Sequence, residues 1–437
     1  MTHAVVVGLG VTGRAVATAL AKRNVAVVAT EDRPRPEVRK FANSLGIDLV
    51  EAPSPTDLAQ ALDGAMFVAP SPGVPDNHPI FAAAQTAGVQ VVSEFDLAQD
   101  WDSRPVVAIT GTNGKTTVTE LVTAMLQSSG LSAVAAGNTD TPLVEAIEDT
   151  SVDVFVAEAS SFRLGHSARF RPVVGAWLNF GPDHLDVHAS LEAYETSKAN
   201  IWAHQNPDDI SVANADDEVV MGYLPAATEH RLVGSNGAYR VVGSMLMANE
   251  VELVDVAELW SPLPHNTFNA LAAAAIASGV GATFEGIRAA LRAFPGIAHR
   301  VELVADFDGI RWYNDSKATT PHAVVAALGG FRSAVLIAGG SDKGISLVPM
   351  AELHEHVRAV VAIGDSADDV REVFGEFVPV IDAASMAEAV EAARTLASPG
   401  DAVLLSPGCA SFDWYENYTK RGDDFRSIVQ ALPGGNK

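Results

Sequence analysis

One short loop constrains this 437-residue chain more than any other feature. Residues 106–110 are an apolar run of strand character. Gly111-Thr112-Asn113-Gly114-Lys115-Thr116-Thr117 follows directly. Beyond it, Val118, Leu121, Val122, Met125 and Leu126 recur at i, i+3, i+4, i+7 and i+8, the spacing of one buried helix face, and Gly130 ends the pattern. Strand, glycine loop, lysine, hydroxyl and helix form a phosphate-binding order. Gly111 and Gly114 let backbone N–H groups turn onto phosphate oxygens, and the helix start adds its positive end. Lys115 can reach terminal phosphates, and Thr116 or Thr117 can hold Mg²⁺. The loop is shorter than the G-x-x-x-x-G-K-[ST] pattern, because Ile109 stands where the first glycine belongs. A glycine turn with a chance lysine is the alternative, and it leaves the strand–loop–helix order unexplained. An ATP-using enzyme is expected.

A second glycine turn opens the chain. Residues 4–7 read as a strand, Gly8-Leu9-Gly10-Val11-Thr12-Gly13 as a turn, 14–22 as a helix and 25–29 as a strand. Glu31-Asp32 follow, near where a ribose-binding acid lies in dinucleotide-binding domains. Alone, this suggests a nicotinamide oxidoreductase. What it promises physically is an anion site at a helix N-terminus, unless it is merely a tight turn.

Apolar runs alternate with helical patterns throughout, so the expected class is α/β with largely parallel sheets. Further strands are expected at 66–69, 90–93, 152–157, 173–178, 301–305, 310–313, 335–338, 360–363 and 402–405. Asp308-Gly309 marks a hairpin, and residues 210–260 read as short strands and turns. The chain restarts at Arg104-Pro105 and again after Phe294-Pro295-Gly296. Boundaries near 93 and 298 then divide it into domains 1–93, 94–298 and 299–437.

Polar groups gather at strand ends, where ligands bind in such sheets. Glu158 ends one strand, before Ser160-Ser161, and can hold Mg²⁺ or simply be solvated. Asp183-His184-Leu185-Asp186 can hold a metal or form turns. Tyr194 and Lys198, four apart, share a helix face; by itself Lys198 reads as solvated. Asn314-Asp315-Ser316-Lys317, Ser341-Asp342-Lys343-Gly344 and Ser406-Pro407-Gly408-Cys409-Ala410-Ser411 end three later strands and suggest a second ligand surface.

The net charge of −25 disfavours nucleic acid and anionic membranes as partners. An anionic substrate would need local cations. The single cysteine, Cys409, excludes an intrachain disulfide and reads as a buried structural thiol. No G-x-S-x-G elbow points to a serine hydrolase. No apolar stretch of about 20 residues is present, and the first residues do not read as a signal peptide, so a cytoplasmic protein is expected.

The separated motifs together resemble the Mur ligase family across essentially the whole chain. They are residues 8–13, Ser71-Pro72-Gly73, 111–117, Glu158-Ala159-Ser160-Ser161-Phe162, Asp183-His184, Lys198, His265-Asn266 with Asn269-Ala270, His299-Arg300, 314–319, Asp342-Lys343-Gly344 and 406–421. The first turn and Ser411-Phe412-Asp413 with Arg421-Gly422 are similar to the D-glutamate-adding branch. The resemblance implies three domains: an N-terminal Rossmann-like one for the uridine diphosphate of the substrate, a central P-loop ATPase-like one for ATP, and a C-terminal Rossmann-like one that brings the amino acid and closes over ATP.

By the same resemblance, Val11, Thr12, Glu31, Asp32, Arg33, Ser71, Gly73, Asn138 and Ser160 match the nucleotide-sugar site. Residues Gly111, Thr112, Asn113, Gly114, Lys115, Thr116 and Thr117, with Asn266, Asn269, Arg300 and Asp315, match ATP contacts. Thr116, Glu158, His184 and Lys198 match ligands of two Mg²⁺ ions, Lys198 as a CO₂-derived carbamate. Lys317, Thr319, Lys343, Ser411 and Tyr418 match the region that receives D-glutamate. Lys115, Lys198, His184 and Arg300 are the implied catalytic residues.

The implied reaction joins D-glutamate to UDP-N-acetylmuramoyl-L-alanine through an acyl phosphate, by a monomer. The alternatives are L-glutamate or another amino acid as acceptor, the oxidoreductase, or a non-catalytic nucleotide-binding relative. Three places depart from the family: Arg163 replaces a usual Gln, Thr139-Asp140 a usual Ile-Gly, and Leu263-Pro264 a usual glycine. The charges of Arg163 and Asp140 are expected to offset each other.

Overall fold

The computed structural model describes residues 2–139, 141–182, 188, 190–341, 344 and 346–434. The strands form three sheets, and in each sheet one strand has later strands on both sides. The first sheet holds β1 (His3–Val7), β2 (Ala26–Glu31), β3 (Asp48–Glu51) and β4 (Ala65–Pro70), ordered β3-β2-β1-β4 and parallel throughout. The second holds β5 (Val106–Thr110), β6 (Ala133–Gly137), β7 (Val154–Glu158), β8 (Val174–Trp177), β9 (Ile210–Asn214), β10 (Glu229–Val233), β11 (Tyr239–Val242), β12 (Met245–Ala248) and β13 (Val251–Asp255). Their order is β13-β12-β11-β10-β9-β8-β5-β7-β6, with only the β11-β12-β13 meander antiparallel. The third holds β14 (Glu302–Phe307), β15 (Ile310–Asn314), β16 (Ala334–Gly339), β17 (Val357–Ile363), β18 (Val380–Ala383) and β19 (Ala402–Leu405), ordered β14-β15-β19-β16-β17-β18. Only the β14-β15 hairpin is antiparallel there. Asp308 and Gly309 at its tip have φ of 54° and 75°. Two positive φ values make the turn that matches strand twist, so the Asp-Gly signal is realised.

Connections leave a strand in opposite directions at β1, at β5 and between β16 and β19. Such switch points open a crevice beyond the carboxyl ends of the strands. The turn 8–13 lies at the first, the loop 111–117 at the second, and the segments after β16 and β19 at the third.

By packing, the chain forms two compact units. One is Met1–Pro262 with Asn266–Phe294, and the other is Leu263–His265 with Pro295–Lys437. The first unit carries two sheets because one apolar core runs between them. Leu9, Val16, Ala17 and Leu20 pack in the same cluster as Phe95, Leu97, Leu143 and Val144. At its rim, Lys22 and Arg23 both pair with Glu148.

Two sequence expectations need correction. Residues 90–93 do not form a strand; they give one parallel bridge, Val68 to Val91. Ser93 instead caps the helix Glu94–Trp101 in a reciprocal capping box with Asp96, which takes the backbone out of the sheet. Conversely, β3 escaped notice because Asp-Leu-Val-Glu is a short, half-polar edge strand. The first helix begins at Val11 rather than Arg14. Among the described residues, no helix is long and apolar enough to cross a membrane.

Candidate active site

The glycine turn after β1 is set by close packing. A Cβ on Gly13 would lie 1.9 Å from the Gly8 carbonyl oxygen and 2.6 Å from Ser71 Oγ, so the helix can approach the strand only as glycine. Ser71 Oγ donates to the Gly8 carbonyl (2.6 Å) and joins the end of β4 to the turn. Around it opens a cleft of about 870 Å³, lined by Val11, Thr12, Glu31, Asp32, Arg33, Ser71, Gly73 and Asn138 among others. These are eight of the nine residues that the resemblance assigns to the nucleotide sugar. The ninth, Ser160, does not line it; its hydroxyl accepts from Arg163 N (3.4 Å) and caps the helix Ser161–Gly165. Glu31 Oε2 accepts from Leu9 N at 2.9 Å. His78 Nε2 sits 3.2 Å from an Asp32 oxygen, while its Nδ1 accepts from Ile80 N (3.1 Å).

At the second switch point the phosphate loop is braced from the end of β8. The Asn113 N–H donates to Asn179 Oδ1 (2.8 Å), and Asn179 Nδ2 donates back to the Asn113 carbonyl (3.1 Å). Thr112 Oγ1 accepts from Gly181 N (3.0 Å). Gly114 has φ of 86° and caps the helix Lys115–Ser128; a Cβ there would lie 2.6 Å from Asn269 Oδ1. Asn269 is thus brought against the loop, and Asn266 is buried on the same helix, Pro264–Gly279. Lys115 Nζ donates to the Gly111 and Thr112 carbonyls (2.7 and 2.9 Å), over the loop it is expected to serve.

Lys198 is not solvated. It is 1% exposed on the helix Leu191–Ala199. Its Nζ donates to the same Gly111 carbonyl (3.0 Å) and lies 4.4 Å from the centre of the Tyr194 ring. Glu158 is not solvated either. It ends β7 in register with Ile109 of β5 and Gly137 of β6, and is 3% exposed. Its Oε1 accepts from Asn138 Nδ2 (2.9 Å). Its Oε2 is buried with no hydrogen-bond partner among the described residues. A buried carboxylate oxygen left without a donor is costly. A cation would satisfy it, so the residues here fit a divalent metal. Asp183, His184, Asp186, Asp140, Asp342 and Lys343 lie outside the described residues.

In the second unit a strained turn carries Arg300. Its neighbours His299 and Val301 have φ of 63° and 45°, and for a β-branched valine this backbone is unfavourable. Val301 N donates to Asp315 Oδ1 (3.2 Å), and Asn314 Nδ2 bonds His299 Nδ1 (2.9 Å). Ser406 Oγ donates to Asp315 Oδ2 (2.7 Å). Burial pushes the Asp315 carboxyl up to about 7, against these bonds and the nearby charges of Arg300 and Arg421. Arg421, 1% exposed, donates to Ser316 Oγ and to the carbonyls of Ser316, Cys409 and Ala410, tying the ends of β15 and β19 together. Lys317 Nζ stands 5.3 Å from the centre of the Tyr418 ring. Ser411 is buried, while Thr319 is half-buried.

Sequence reasoning missed Glu94. It is 3% exposed, and its Oε1 accepts from Arg163 Nε at 3.0 Å. Burial raises the Glu94 carboxyl and the Arg163 charge opposes that rise. Among the described residues, the carboxylate that meets Arg163 is Glu94; the expected partner, Asp140, lies outside them. The pair spans 69 residues, and no local signal could have shown it. A second constellation looks hydrolytic: Ser161 Oγ lies 2.9 Å from His188 Nε2, and Asp76 Oδ2 lies 3.1 Å from His188 Nδ1. Ser161 is 2% exposed, so its hydroxyl is a packing bond and not an open nucleophile.

A glycine loop with its lysine at one switch point, a cleft around a second glycine turn at another and a buried carboxylate oxygen with no donor among the described residues are the marks of a nucleotide-dependent α/β enzyme. Three family models match in sequence: the Mur ligase MurD-like N-terminal domain over residues 2–93, the Mur ligase middle domain over 109–277, and the Mur ligase glutamate ligase domain over 299–409. The chain is 39% identical over 447 residues to a UDP-N-acetylmuramoylalanine--D-glutamate ligase of Desulfosudis oleivorans, covering 99% of this chain and 97% of that one. It is 41% identical over 455 residues to the protein of the same name from Salinibacter ruber, covering 99% and 98%. In fold it is similar to a pseudomurein peptide ligase type C from Methanothermus fervidus, with a TM-score of 0.61 at 19% identity over 99% of this chain and 100% of that one.

The chain belongs to the Mur ligase family and is an ATP-dependent ligase. The nicotinamide reading of the first glycine turn gives way, because the match to ligases runs through the whole chain, that turn included.

Proposed function

We propose that this chain joins D-glutamate to UDP-N-acetylmuramoyl-L-alanine at the expense of ATP, in the cytoplasmic synthesis of peptidoglycan precursors, and acts as a monomer. The observation that carries the reading is the convergence of three groups at the ends of β5 and β7: the phosphate loop, the Glu158 oxygen with no donor, and Lys198 buried against the Gly111 carbonyl. The full-length relatives named for this reaction supply the substrates.

In the first step a carboxylate oxygen of the L-alanyl group attacks the γ-phosphorus, the bond to the β-phosphate oxygen breaks, and ADP leaves. Backbone N–H groups of Gly111–Gly114 and the Lys115 ammonium hold the phosphates in line. Arg300 faces charge on the transferring group, and Asn266, Asn269 and Asp315 position the nucleotide. In the second step the D-glutamate amine attacks the acyl carbon, phosphate leaves and the amine loses a proton. Lys317, Thr319, Lys343, Ser411 and Tyr418 receive the D-glutamate. Val11, Thr12, Glu31, Asp32, Arg33, Ser71, Gly73, Asn138 and Ser160 serve the nucleotide sugar, Ser160 by shaping the helix start that holds Arg163. Thr116, Glu158, His184 and a carbamate of Lys198 would hold two Mg²⁺ ions, which supply charge neutralisation. A carbamate would turn Lys198 from cation to anion, which suits a buried residue that is to hold Mg²⁺.

The test is phosphate release with each component omitted in turn. Release is expected only with ATP, Mg²⁺, UDP-N-acetylmuramoyl-L-alanine and D-glutamate together. Undiminished release without the nucleotide sugar, or equal rates with L-glutamate, would overturn the assignment.

A further inference from the structure

Of the four arginines lining the first cleft, Arg14, Arg33, Arg35 and Arg163, only Arg163 is buried, at 6% exposure. It comes from the helix Ser161–Gly165, yet it reaches the glycine turn of β1. Its Nε donates to Glu94 Oε1 (3.0 Å), one terminal nitrogen to Thr12 Oγ1 (2.9 Å) and the other to Asn138 Oδ1 (2.8 Å). A guanidinium has five N–H groups. Three are used, so each terminal nitrogen keeps one N–H with no partner among the described residues.

A cation whose only task was to neutralise Glu94 would present its planar fork to both carboxylate oxygens. Here the contact is single. The other Glu94 oxygen accepts from Val144 N (3.2 Å), and the fork faces Thr12 and Asn138, both of which line the cleft. The arrangement is rigid. Glu94 holds the stem end of the fork, Phe95 lies under it with its ring centre 5.9 Å away, and Asn138 is itself bonded to Glu158. The carboxylates lining the cleft, Glu31, Asp32 and Glu37, belong to the β2 side. Glu31 and Asp32 are engaged by Leu9 N and His78.

We infer that Arg163 is a specificity-determining residue of this ligase, its two spare N–H groups holding an anionic oxygen of the nucleotide sugar. The inference rests on the function proposed above and deepens it at one position. Phosphate and carboxylate share the required chemistry. Thr12 lies toward the helix N-terminus, where a phosphate would sit, and Asn138 toward Glu158, where the reacting carboxylate would sit.

The test titrates UDP, UDP-N-acetylglucosamine and UDP-N-acetylmuramoyl-L-alanine into the full chain and into Arg163→Gln, with ATP as reference ligand. Loss of a charge-assisted bond predicts a weakening of roughly tenfold to a hundredfold. Weakening of all three nucleotides identifies a phosphate as the group held. Weakening confined to the carboxylate-bearing ligand identifies the carboxylate. ATP affinity should stay within about twofold of wild type in either case. Removing one charge of a buried pair can itself unfold the chain. The double variant Glu94→Gln/Arg163→Gln leaves no unpaired charge and should show the same selective loss. A folded variant that binds every nucleotide sugar as tightly as wild type overturns the inference alone. A wild-type chain that binds none of them overturns the functional reading, and the inference with it.

Discussion

The two glycine loops of the first unit look alike in sequence and differ in what surrounds them. Both follow a strand that pairs in parallel with a neighbour on each side, and both open a helix. In the loop after β5 the cation is local: Lys115 stands at the first helical position and folds over the Gly111 and Thr112 carbonyls. In the turn after β1 the sequence supplies no lysine. Its buried cation, Arg163, arrives from a helix 151 residues away along the chain. Glu31, the acid that ends β2 where a dinucleotide-binding domain would meet ribose, is tied back to the turn through Leu9 N. The lesson is that strand–glycine–helix fixes only an anion site. Which anion it takes is decided by side chains that the local pattern does not contain.

The separation can be tested most severely at Lys115. Lys115→Ala should lower the rate of ATP-driven phosphate release about 10²–10³-fold, the size expected for a lost charge on a transferring group. Calorimetry should find nucleotide-sugar affinity unchanged; its loss would mean that the two loops act as one site. Lys198→Ala should cause a loss of similar size, about 10²-fold or more. Short carboxylic acids should restore part of it, because they replace the missing anion; a fully active variant would remove the carbamate. Gly13→Ala drives a methyl group into the Gly8 carbonyl. Denaturant unfolding should show about 1–3 kcal/mol of destabilisation, as for other overpacked sites. Nucleotide-sugar binding should weaken with ATP binding kept. Equal damage to both ligands would break the comparison.

The last test concerns the second unit, touches neither loop and serves as a contrast to both. Burial holds the Asp315 carboxyl at about 7, above its ordinary 3.8. From about pH 4 to about 7 the folded chain keeps a proton that the unfolded chain has released. Stability from this group is thus complete below that window and is lost as pH rises through 7. Asp315→Asn should remove this slope from a plot of unfolding free energy against pH. An unchanged slope would mean that the group titrates elsewhere.

What was legible in the sequence was what is local. The apolar run 106–110, the loop and the helix face at Val118, Leu121, Val122, Met125 and Leu126 are encoded within about 20 residues, and all appear as read. The Asp308-Gly309 hairpin is likewise local. Residues 90–93 misled because their apolar content suggests a strand, while Ser93 and Asp96 form a cap. Lys198 looked solvated on its own helix. Only contact with Gly111, 87 residues earlier, reveals a buried ammonium. Arg163 was visible as a departure from the family, but its partner Glu94 was not, because the pairing brings together two helices 69 residues apart in the chain.

The central claim is that the phosphate loop activates a carboxylate held on the first unit. The most direct measurement labels the L-alanyl carboxylate of UDP-N-acetylmuramoyl-L-alanine with ¹⁸O and analyses the phosphate released with D-glutamate. Passage through an acyl phosphate predicts one ¹⁸O in the phosphate for every amide formed. Unlabelled phosphate alongside amide would contradict the account.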